Sequence, residues 1–342
     1  MATDQVSPKV GEGSKSSRSR YASMKRSKVA LILLSKYGTL TAMALMLIIF
    51  TIAVPNGSFF NWDNLINIVE QSSLTAIIAS GLTIVLVVGE FDLSIGYVAS
   101  LAGVLVTGLV EKQHLPLFLA IVATLAVGLG IGGVNGLVVT KARVNAVVAT
   151  LGVGTIVVGL SYGYTAGSPI VEVPESFLQL ALGKTFGLPN PIWLMIVVLF
   201  LLWVVLNRTP LGQRIQAVGG NLHAARLAGI RTDRTKIVTF MIAGLMAALT
   251  GVMLASLLGS GTVSAADSYL MDSFAAVFLG SATLRDGEFH IVGTLIGVLI
   301  VNVGFNGLSQ LGTPVFWQYI FKGGILVAAV ALSTIARRYA KT

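Results

Sequence analysis

The chain has 342 residues, of which 55% are apolar and 11% are charged, with a formal net charge of +9 and a mean hydropathy of +0.86. Because soluble proteins average about 25% charged residues, this composition excludes an ordinary soluble domain and indicates an integral membrane protein. The chain has no cysteine, which excludes a disulfide framework, a thiol nucleophile and a Cys-ligated metal site. Its three histidines lie in separate polar segments, so no metal site is predicted.

The first element in chain order is a basic tail. Residues 1–36 carry eight Lys or Arg residues in a Ser-rich stretch that precedes an apolar segment. This pattern predicts a disordered cytoplasmic tail beside the first span, with contact to anionic lipid as a weaker alternative. The placement of the charge disfavours nucleic acid as a partner, and the length of the basic region disfavours a cleavable signal peptide.

Apolar windows then predict about ten transmembrane helices, since a span needs about 20 mostly apolar residues. The predicted fold is an all-α polytopic bundle, because backbone polar groups must be satisfied inside the bilayer. One window, 270–284, is short and is predicted to be broken or re-entrant. The ten windows are 37–54, 64–88, 92–110, 117–140, 146–166, 191–206, 237–258, 270–284, 289–311 and 316–336.

The basic residues are distributed asymmetrically between the predicted loops. If the N-terminus is cytoplasmic, 20 of the 23 Lys and Arg residues lie in cytoplasmic segments, and only Lys112, Lys184 and Lys322 lie elsewhere. The positive-inside rule therefore predicts that both termini are cytoplasmic. The predicted domains are the tail and one transmembrane domain, 37–338, which contains a long cytoplasmic loop, 207–236.

Small residues recur at every fourth position in two windows. They are Gly128, Gly132 and Gly136 in the fourth window, and Gly293 and Gly297 in the ninth. This spacing lets two helix backbones approach closely. It predicts packing grooves, with subunit contact as the alternative.

The motif GEFDLSIG, residues 89–96, places two carboxylates between apolar runs. Asp92 precedes an apolar helix, where its carboxylate can accept hydrogen bonds from N–H groups near Ser94 and meet the positive end of the helix dipole. We therefore predict that Asp92 and Ser94 form a structural helix cap. For Glu90 two interpretations remain open: an ordinary cytoplasmic loop acid, or a residue of the solute pathway.

Amide side chains form a stripe in the ninth window. Asn302, Asn306 and Gln310 recur at every fourth position on an otherwise apolar helix. Amides both donate and accept hydrogen bonds, which suits a pathway for an uncharged, hydroxyl-rich solute. Hydrogen bonding between helices is the alternative. Asn135 and Gln71 are weaker candidates of the same kind.

The loop 207–236 contains a predicted short helix. Asn221 is a suitable N-cap, 222–228 favours helix, Arg226 suits the C-terminal end, and Gly229 is a suitable stop. Seven residues do not hold a helix alone in water. The helix is therefore expected to pack against the bundle or against a partner.

No catalytic motif is present. The sequence Gly183-Lys184-Thr185 lacks the Gly five residues earlier that a phosphate-binding loop needs, since Leu178 stands there. We predict no catalytic residue, no metal and no enzyme activity in this chain.

Three segments resemble one known family. The segment GLTIVLVVGEFDLSIG, 81–96, is similar to the GxDLSVG-type motif of permease subunits of ATP-binding-cassette (ABC) importers in the ribose, xylose and galactose branch of the family that includes branched-chain amino acid permeases. The segment GGNLHAARLAGI, 219–230, resembles the cytoplasmic GGN-x-x-AAR-x-x-GI loop of that family. The segment 275–312 resembles its AAVxLGG...GTxxGxxxxxxxxNGL region. Glu90 departs from the pattern, because the family commonly has a small residue there.

The resemblance implies a type II-like ABC importer permease in the bacterial inner membrane, for a monosaccharide or polyol. It implies as partners cytoplasmic ATPase subunits that hold the ATP and magnesium, a periplasmic or lipid-anchored sugar-binding protein, and a second permease subunit, identical or related. By the same likeness, 221–230 is the coupling helix, and the residues expected to contact the ATPase are Asn221, Ala224, Ala225, Arg226 and Gly229.

Other functions remain open at this point. A branched-chain amino acid or nucleoside permease of the same family is one alternative. A proton-coupled secondary transporter, in which Glu90 and Asp92 relay protons, is another, and it requires acids at membrane depth.

Overall fold

A computed structural model describes residues 40–281 and 287–340, which are almost entirely helical. The predicted tail, 1–36, lies outside the described residues. The sheet in the described part of the chain is a two-stranded antiparallel hairpin. The helices are α1 Leu40–Ala53, α2 Trp62–Val87, α3 Ile95–Glu111, α4 Leu117–Thr140, α5 Ala146–Thr165, α6 Glu175–Leu182, α7 Asn190–Arg208, α8 Pro210–Gly220, α9 Leu222–Leu227, α10 Thr232–Leu258, α11 Ser268–Ser281, α12 Ile291–Gln310 and α13 Val315–Ala340; the strands are β1 Lys184–Thr185 and β2 Leu188–Pro189.

Six of the described helices are long and apolar enough to cross a membrane, namely α2, α4, α5, α7, α10 and α12. Shorter apolar stretches lie at Leu40–Ala53, Ile95–Glu111 and Val315–Ala328. The prediction of an all-α polytopic membrane protein is therefore confirmed. Helix α11 has 14 residues, about 21 Å, which is less than the roughly 30 Å of a hydrocarbon core. The count of ten spans and the re-entrant path of 270–284 stay predictions.

Helix α10 lies at the centre of the bundle, where it packs against α2, α3 and α4. The glycines at positions 128, 132 and 136 of α4 face it. A Cβ atom at Gly132 would lie 2.2 Å from the carbonyl oxygen of Phe240, and one at Gly136 would lie 2.6 Å from the Cα of Ile237. The predicted packing groove is therefore present, and α10 of the same chain fills it.

The second glycine pair brings α12 against α11. A Cβ atom at Gly297 would lie 2.0 Å from the carbonyl oxygen of Ala276, and one at Gly293 would lie 2.4 Å from that of Gly280. Backbone contact at this distance is possible only without a side chain at the contact point. These glycines also form a packing groove within the chain.

One end of the bundle collects the basic loops, and we call it the basic end. It carries residues 88–94, 141–145 and 209–231. Here Thr209 caps the start of α8, and its Oγ1 accepts a hydrogen bond from the Gly212 N–H at 3.2 Å. A Cβ atom at Gly219 would lie 1.8 Å from the carbonyl oxygen of Val87. The C-terminal part of α8 is therefore held directly against the end of α2.

The predicted short helix in this region is confirmed as α9, one residue shorter than expected. The Oδ1 atom of Asn221 accepts the N–H of Ala224 at 3.0 Å and caps the helix. The chain leaves α9 through Gly229, whose φ of +79° is a left-handed conformation that favours glycine. Ala225 is 4% exposed, so α9 packs on the bundle through this residue.

Candidate functional site

Between α2 and α3 the chain forms a loop, residues 88–94, which we call the recessed loop. The N–H of Leu93 donates to Oγ1 of Thr150 on α5 at 3.0 Å, and Nδ2 of Asn135 on α4 donates to Oγ of Ser94 at 2.8 Å. Thr150 lies four residues after the start of α5, and Asn135 lies five residues before the end of α4. At 1.5 Å per residue this is a depth of about 6 to 8 Å. The loop is therefore sunk into the basic end of the bundle.

Asp92 is the buried acid of the recessed loop, with 1% of its surface exposed. Its Oδ1 accepts both the backbone N–H of Ser94 at 2.8 Å and the hydroxyl of Ser94 at 2.6 Å. Because Ser94 immediately precedes α3, the carboxylate lies beside the positive end of that helix. Asp92 thus holds the turn that leads into α3, while the contribution of this cap to stability stays a prediction.

Asn135 is the deepest of the predicted pathway amides, with 1% of its surface exposed. Its Nδ2 is bound to Ser94. Its Oδ1 is buried and has no hydrogen-bonding partner among the described residues. Since a buried amide oxygen without a partner costs free energy, packing alone does not account for an amide at this position.

Glu90 forms an ion pair with Lys236, which lies in the first turns of α10. Each of the two side chains is 17% exposed. The pair joins the recessed loop to α10 at the same end of the bundle as α9. Glu90 is therefore a partly buried, paired loop carboxylate, and its place in the solute pathway stays a prediction.

The amide stripe of α12 contacts the start of α2, and we call Asn64, Asn306 and Gln310 the amide group. Asn306 and Asn64 exchange two hydrogen bonds, at 2.9 and 3.0 Å. Nε2 of Gln310 donates to Oδ1 of Asn306 at 3.2 Å, and the hydroxyl of Ser58 donates to Oε1 of Gln310 at 3.1 Å. Asn306 and Gln310 thus form hydrogen bonds to other segments, as the alternative interpretation of the stripe, hydrogen bonding between helices, predicts.

The other predicted pathway amides make local contacts. Nδ2 of Asn302 donates to the carbonyl of Val298 in its own helix at 3.0 Å. Nε2 of Gln71 donates to Oδ1 of Asn67, one turn earlier on α2, at 3.0 Å, and Gln71 is exposed. The described hydrogen bonds therefore do not join Asn302 or Gln71 to the amide group or to the recessed loop.

Aromatic rings extend from the recessed loop along α11. The ring of Phe91, which is 40% exposed, stacks on Phe274 at 6.3 Å between centroids. Phe274 stacks on Phe278 at 6.2 Å, and Phe278 meets Phe289 edge to face at 5.4 Å. The recessed loop is therefore fixed to α11 by an apolar contact in addition to its polar contacts with α4, α5 and α10.

A second ion pair lies away from the recessed loop. Nζ of Lys322 on α13 lies 2.5 Å from Oδ1 of Asp272 on α11, with side-chain exposures of 18% and 13%. The same Nζ lies 5.2 Å from the ring centroid of Phe305 on α12. This pair neutralises two of the charges that the sequence places within spans and joins three helices.

The segment before α11 is tied to the first half of α3. The hydroxyl of Ser100 donates to Oδ1 of Asp267 at 2.9 Å and accepts the N–H of Ala266 at 3.0 Å. These two bonds fix the segment before α11 against the side of α3.

The predicted coupling residues present an exposed surface at the basic end. Asn221, Ala224, Arg226 and Gly229 are exposed, whereas Ala225 is buried. Nε of Arg226 donates to Oγ1 of Thr232 at 3.3 Å. Leu227, the last residue of α9, is 91% exposed. A helix anchored on one side with an exposed apolar residue on the other is suited to contact a partner.

Sequence reasoning missed the partners of the predicted residues. Lys236 entered the sequence analysis only through the asymmetry of charge, and neither Thr150 nor Asn64 was singled out. Asn64 lies 242 residues before its partner Asn306. No local signal marks these contacts, since each one joins segments distant in sequence. Within residues 40–281 and 287–340, no group of three His, Cys, Asp or Glu side chains lies close enough to hold a metal ion.

Comparison with a protein family gives a match over most of the chain. The profile of the family described as "Branched-chain amino acid transport system / permease component" matches residues 64–330. The matched range runs from the start of α2 into α13 and contains the recessed loop, the amide group and α9.

Curated relatives match over similar lengths. The ribose import permease protein RbsC of Haemophilus influenzae is 37% identical over 291 residues, which cover 84% of this chain and 90% of the relative. The L-arabinose transport system permease protein AraH of Escherichia coli is 36% identical over 307 residues, covering 90% and 93%. The galactose/methyl galactoside import permease protein MglC of H. influenzae is 32% identical over 315 residues, covering 87% and 93%.

Proposed function

The chain belongs to the family of the branched-chain amino acid transport system permease component, and we propose that it is the permease subunit of an ABC importer that moves a monosaccharide across the bacterial inner membrane. The observation that carries this proposal is the similarity over at least 84% of the chain to permeases named for ribose, L-arabinose and galactose. In this role the chain is a transport component and not an enzyme. A separate ATPase binds the ATP and magnesium.

The charges of the bundle support an uncharged solute. The two lysines that reach into the bundle, Lys236 and Lys322, are each paired with an acid. A phosphorylated solute or an amino acid carboxylate would require a cation that is free to bind it. The relatives named for sugars likewise favour a sugar over the branched-chain amino acid or nucleoside alternatives.

For the solute pathway we propose Asn135 as the first residue to test, because its buried Oδ1 has no partner among the described residues. Gln71 is proposed as a second, since its side chain is exposed near the other end of α2. We also propose the stripe residues Asn302, Asn306 and Gln310 for the pathway, although each already makes hydrogen bonds within the chain. Their bonds to neighbouring groups must break, or water must join them, before they contact a solute.

For the partners we propose that α9 is the coupling helix and docks on a cytoplasmic ATPase subunit. This places the basic end, and both termini, on the cytoplasmic side, as the distribution of Lys and Arg supports. Motion of α9 reaches the recessed loop along a short route, because α10 follows α9 directly and carries Lys236, the partner of Glu90. A substrate-binding protein on the other side and a second permease subunit, identical or related, complete the proposed assembly.

The function is tested by transport in proteoliposomes that contain the purified permease, its ATPase and its binding protein. We expect uptake of labelled ribose, arabinose or galactose that requires ATP and the binding protein. Uptake driven by a pH gradient in the absence of the ATPase would contradict the proposal and favour a proton-coupled transporter.

The coupling role is tested by Arg226→Ala, with Arg143→Ala as the matched control. Both arginines are exposed at the basic end, but Arg143 lies in the 141–145 loop outside α9. We expect Arg226→Ala to lower ATPase binding and transport while the bundle stays folded, and Arg143→Ala to leave both unchanged. Equal ATPase binding and equal transport in the two variants would contradict the assignment of α9 as the coupling helix.

A further inference from the structure

A cleft of about 470 Å³ opens at the basic end between α8, the segment that follows α9, and the first turns of α10. Three arginines line it: Arg214 from α8, Arg231 before α10, and Arg234 within α10. Apolar side chains complete the wall, namely Leu211, Ile230 and Val238. The cleft therefore combines three guanidinium groups with an apolar surface.

The positive charge of the cleft is not neutralised within the described chain. None of the ion pairs formed by residues 40–281 and 287–340 involves Arg214, Arg231 or Arg234. The neighbouring acid, Asp233, pairs with Lys141 on the other side, at 3.1 Å. Three exposed cations lining one cleft repel each other, so an anion that binds between them relieves this repulsion.

The cleft lies at the end of a helix that is longer than the hydrocarbon core of a membrane. Helix α10 has 27 residues, a length of about 40 Å, against a hydrocarbon thickness of roughly 30 Å. Its first turn, with Arg234, is therefore at the membrane surface, and Val238 lies about one turn deeper. On α7, which packs against α8, Arg208 lies 5.7 Å from the ring centroid of Trp203, and tryptophan favours the membrane interface.

We propose that this cleft binds the phosphate headgroup of an anionic phospholipid. Arginine pairs with phosphate through two parallel N–H bonds, and basic pockets between transmembrane helices on the cytoplasmic side are suited to anionic headgroups. The acyl chain lies along the apolar wall, at Leu211 and Val238. This apolar wall beside a membrane-inserted helix favours a lipid over an acidic side chain of the ATPase, which has no acyl chain to cover it. The proposal requires only that the chain spans the membrane, and it does not depend on the transported solute.

The test is a lipid titration of the full-length chain in detergent, followed by native mass spectrometry. Phosphatidylglycerol and phosphatidylcholine with identical acyl chains are compared for the wild-type chain, for Arg214→Gln, Arg231→Gln and Arg234→Gln, and for the triple variant. Arg143→Gln removes one exposed charge from the same end outside the cleft. We expect tighter binding of phosphatidylglycerol, weakened roughly fivefold by each cleft substitution and about a hundredfold by the triple variant, and no change in Arg143→Gln.

Three results would overturn the proposal. The first is equal affinity for the two lipids, or an equal loss in Arg143→Gln. The second is binding of phosphatidylglycerol no tighter than that of inorganic phosphate, which would make the cleft a site for a free anion with no contribution from the acyl chains. The third is a triple variant that binds phosphatidylglycerol normally but loses affinity for the purified ATPase, which would assign the arginines to that partner.

Discussion

The two polar groups inside the bundle are built in different ways. The recessed loop contains charged side chains and is held by α4, α5, α10 and α11, whereas the amide group contains only neutral side chains and joins α12 to the start of α2. In the amide group Asn64 and Asn306 exchange two bonds with each other. In the recessed loop Asp92 accepts two bonds, and Asn135 of α4, which binds the loop at Ser94, retains an acceptor without a partner among the described residues.

This difference indicates in which group the loss of a single side chain lowers stability more. When one side chain of the recessed loop is removed, buried donors or a charge are left without a partner, and such groups are costly. Removing both members of the amide pair leaves fewer such groups, because Asn64 and Asn306 exchange two bonds with each other, and each makes only one further bond, to Phe59 and to Gln310 respectively. The recessed loop should therefore be sensitive to single substitutions, and the amide group should tolerate a paired one.

The largest effect is expected for Asp92→Ala. This change leaves the N–H and the hydroxyl of Ser94 without their common acceptor in a site that is 1% exposed, so we expect a loss of about 2 to 3 kcal/mol in the free energy of unfolding. The measurement is an SDS titration in mixed micelles followed by circular dichroism. Asp92→Asn is the control, since it keeps an oxygen acceptor and should lose less than half as much. An equal loss in both variants would show that the charge, and not the acceptor, is required.

The next effect is expected for the ion pair of Glu90 and Lys236. At 17% exposure for each side chain, the pair lies between surface and buried cases, and removing one partner should cost about 1 to 2 kcal/mol. A double-mutant cycle with Glu90→Gln and Lys236→Gln measures the coupling directly. The exchanged pair, Glu90→Lys with Lys236→Glu, should recover part of the transport rate that each single charge reversal loses. Strictly additive losses would mean that the pair carries no coupling between the recessed loop and α10.

A smaller effect is expected for Asn306→Leu. The substitution removes both bonds to Asn64 and the one from Gln310, and bonds between helices in a bilayer contribute on average about 0.6 kcal/mol each. We expect a net loss of about 1 kcal/mol, less than the sum over three bonds because the leucine side chain adds apolar contact, with assembly preserved and the transport rate reduced. The double variant Asn64→Leu with Asn306→Leu should be no less stable than Asn306→Leu alone. Unaltered transport in both variants would assign the amide group to packing.

The smallest effect on stability is expected for Gln71→Ala. Its one described hydrogen bond is local, to Asn67 one turn away on an exposed face, so the free energy of unfolding should change by less than about 0.5 kcal/mol. If Gln71 contributes to the solute pathway, the KM for uptake should rise while stability is unchanged. Asn67→Ala removes the other half of the same bond and separates a role of the Gln71 side chain from a role of the bond.

The positions of most helices were predictable from apolar windows. The window 117–140 coincides with α4, and 146–166 differs from α5 by one residue at its end. Helix α10 begins at Thr232, five residues before the predicted span 237–258. A hydropathy window ends where polar side chains begin, but the helix continues through Arg234 and Lys236 because helical hydrogen bonds do not depend on apolar side chains.

The candidate site was predictable in part. Asp92 and Ser94 were expected to lie together because they are two residues apart, and local geometry alone brings them into contact. Asn306 and Gln310 were expected on one helix face for the same reason. Their partners were not predictable, since Asn64 lies 242 residues from Asn306 and Lys236 lies 146 residues from Glu90.

The sequence by itself determined that the chain is an all-helical membrane protein, because hydrophobicity and helical periodicity act over a few turns of chain. It also determined the close helix contacts at the glycine stripes and the capped helix α9, which depend on residue size and on local hydrogen bonds. Only the tertiary structure decided that Glu90 meets Lys236, that Asn306 meets Asn64, and that three arginines line one cleft. Those contacts depend on which helices pack together, and packing is set by the whole bundle.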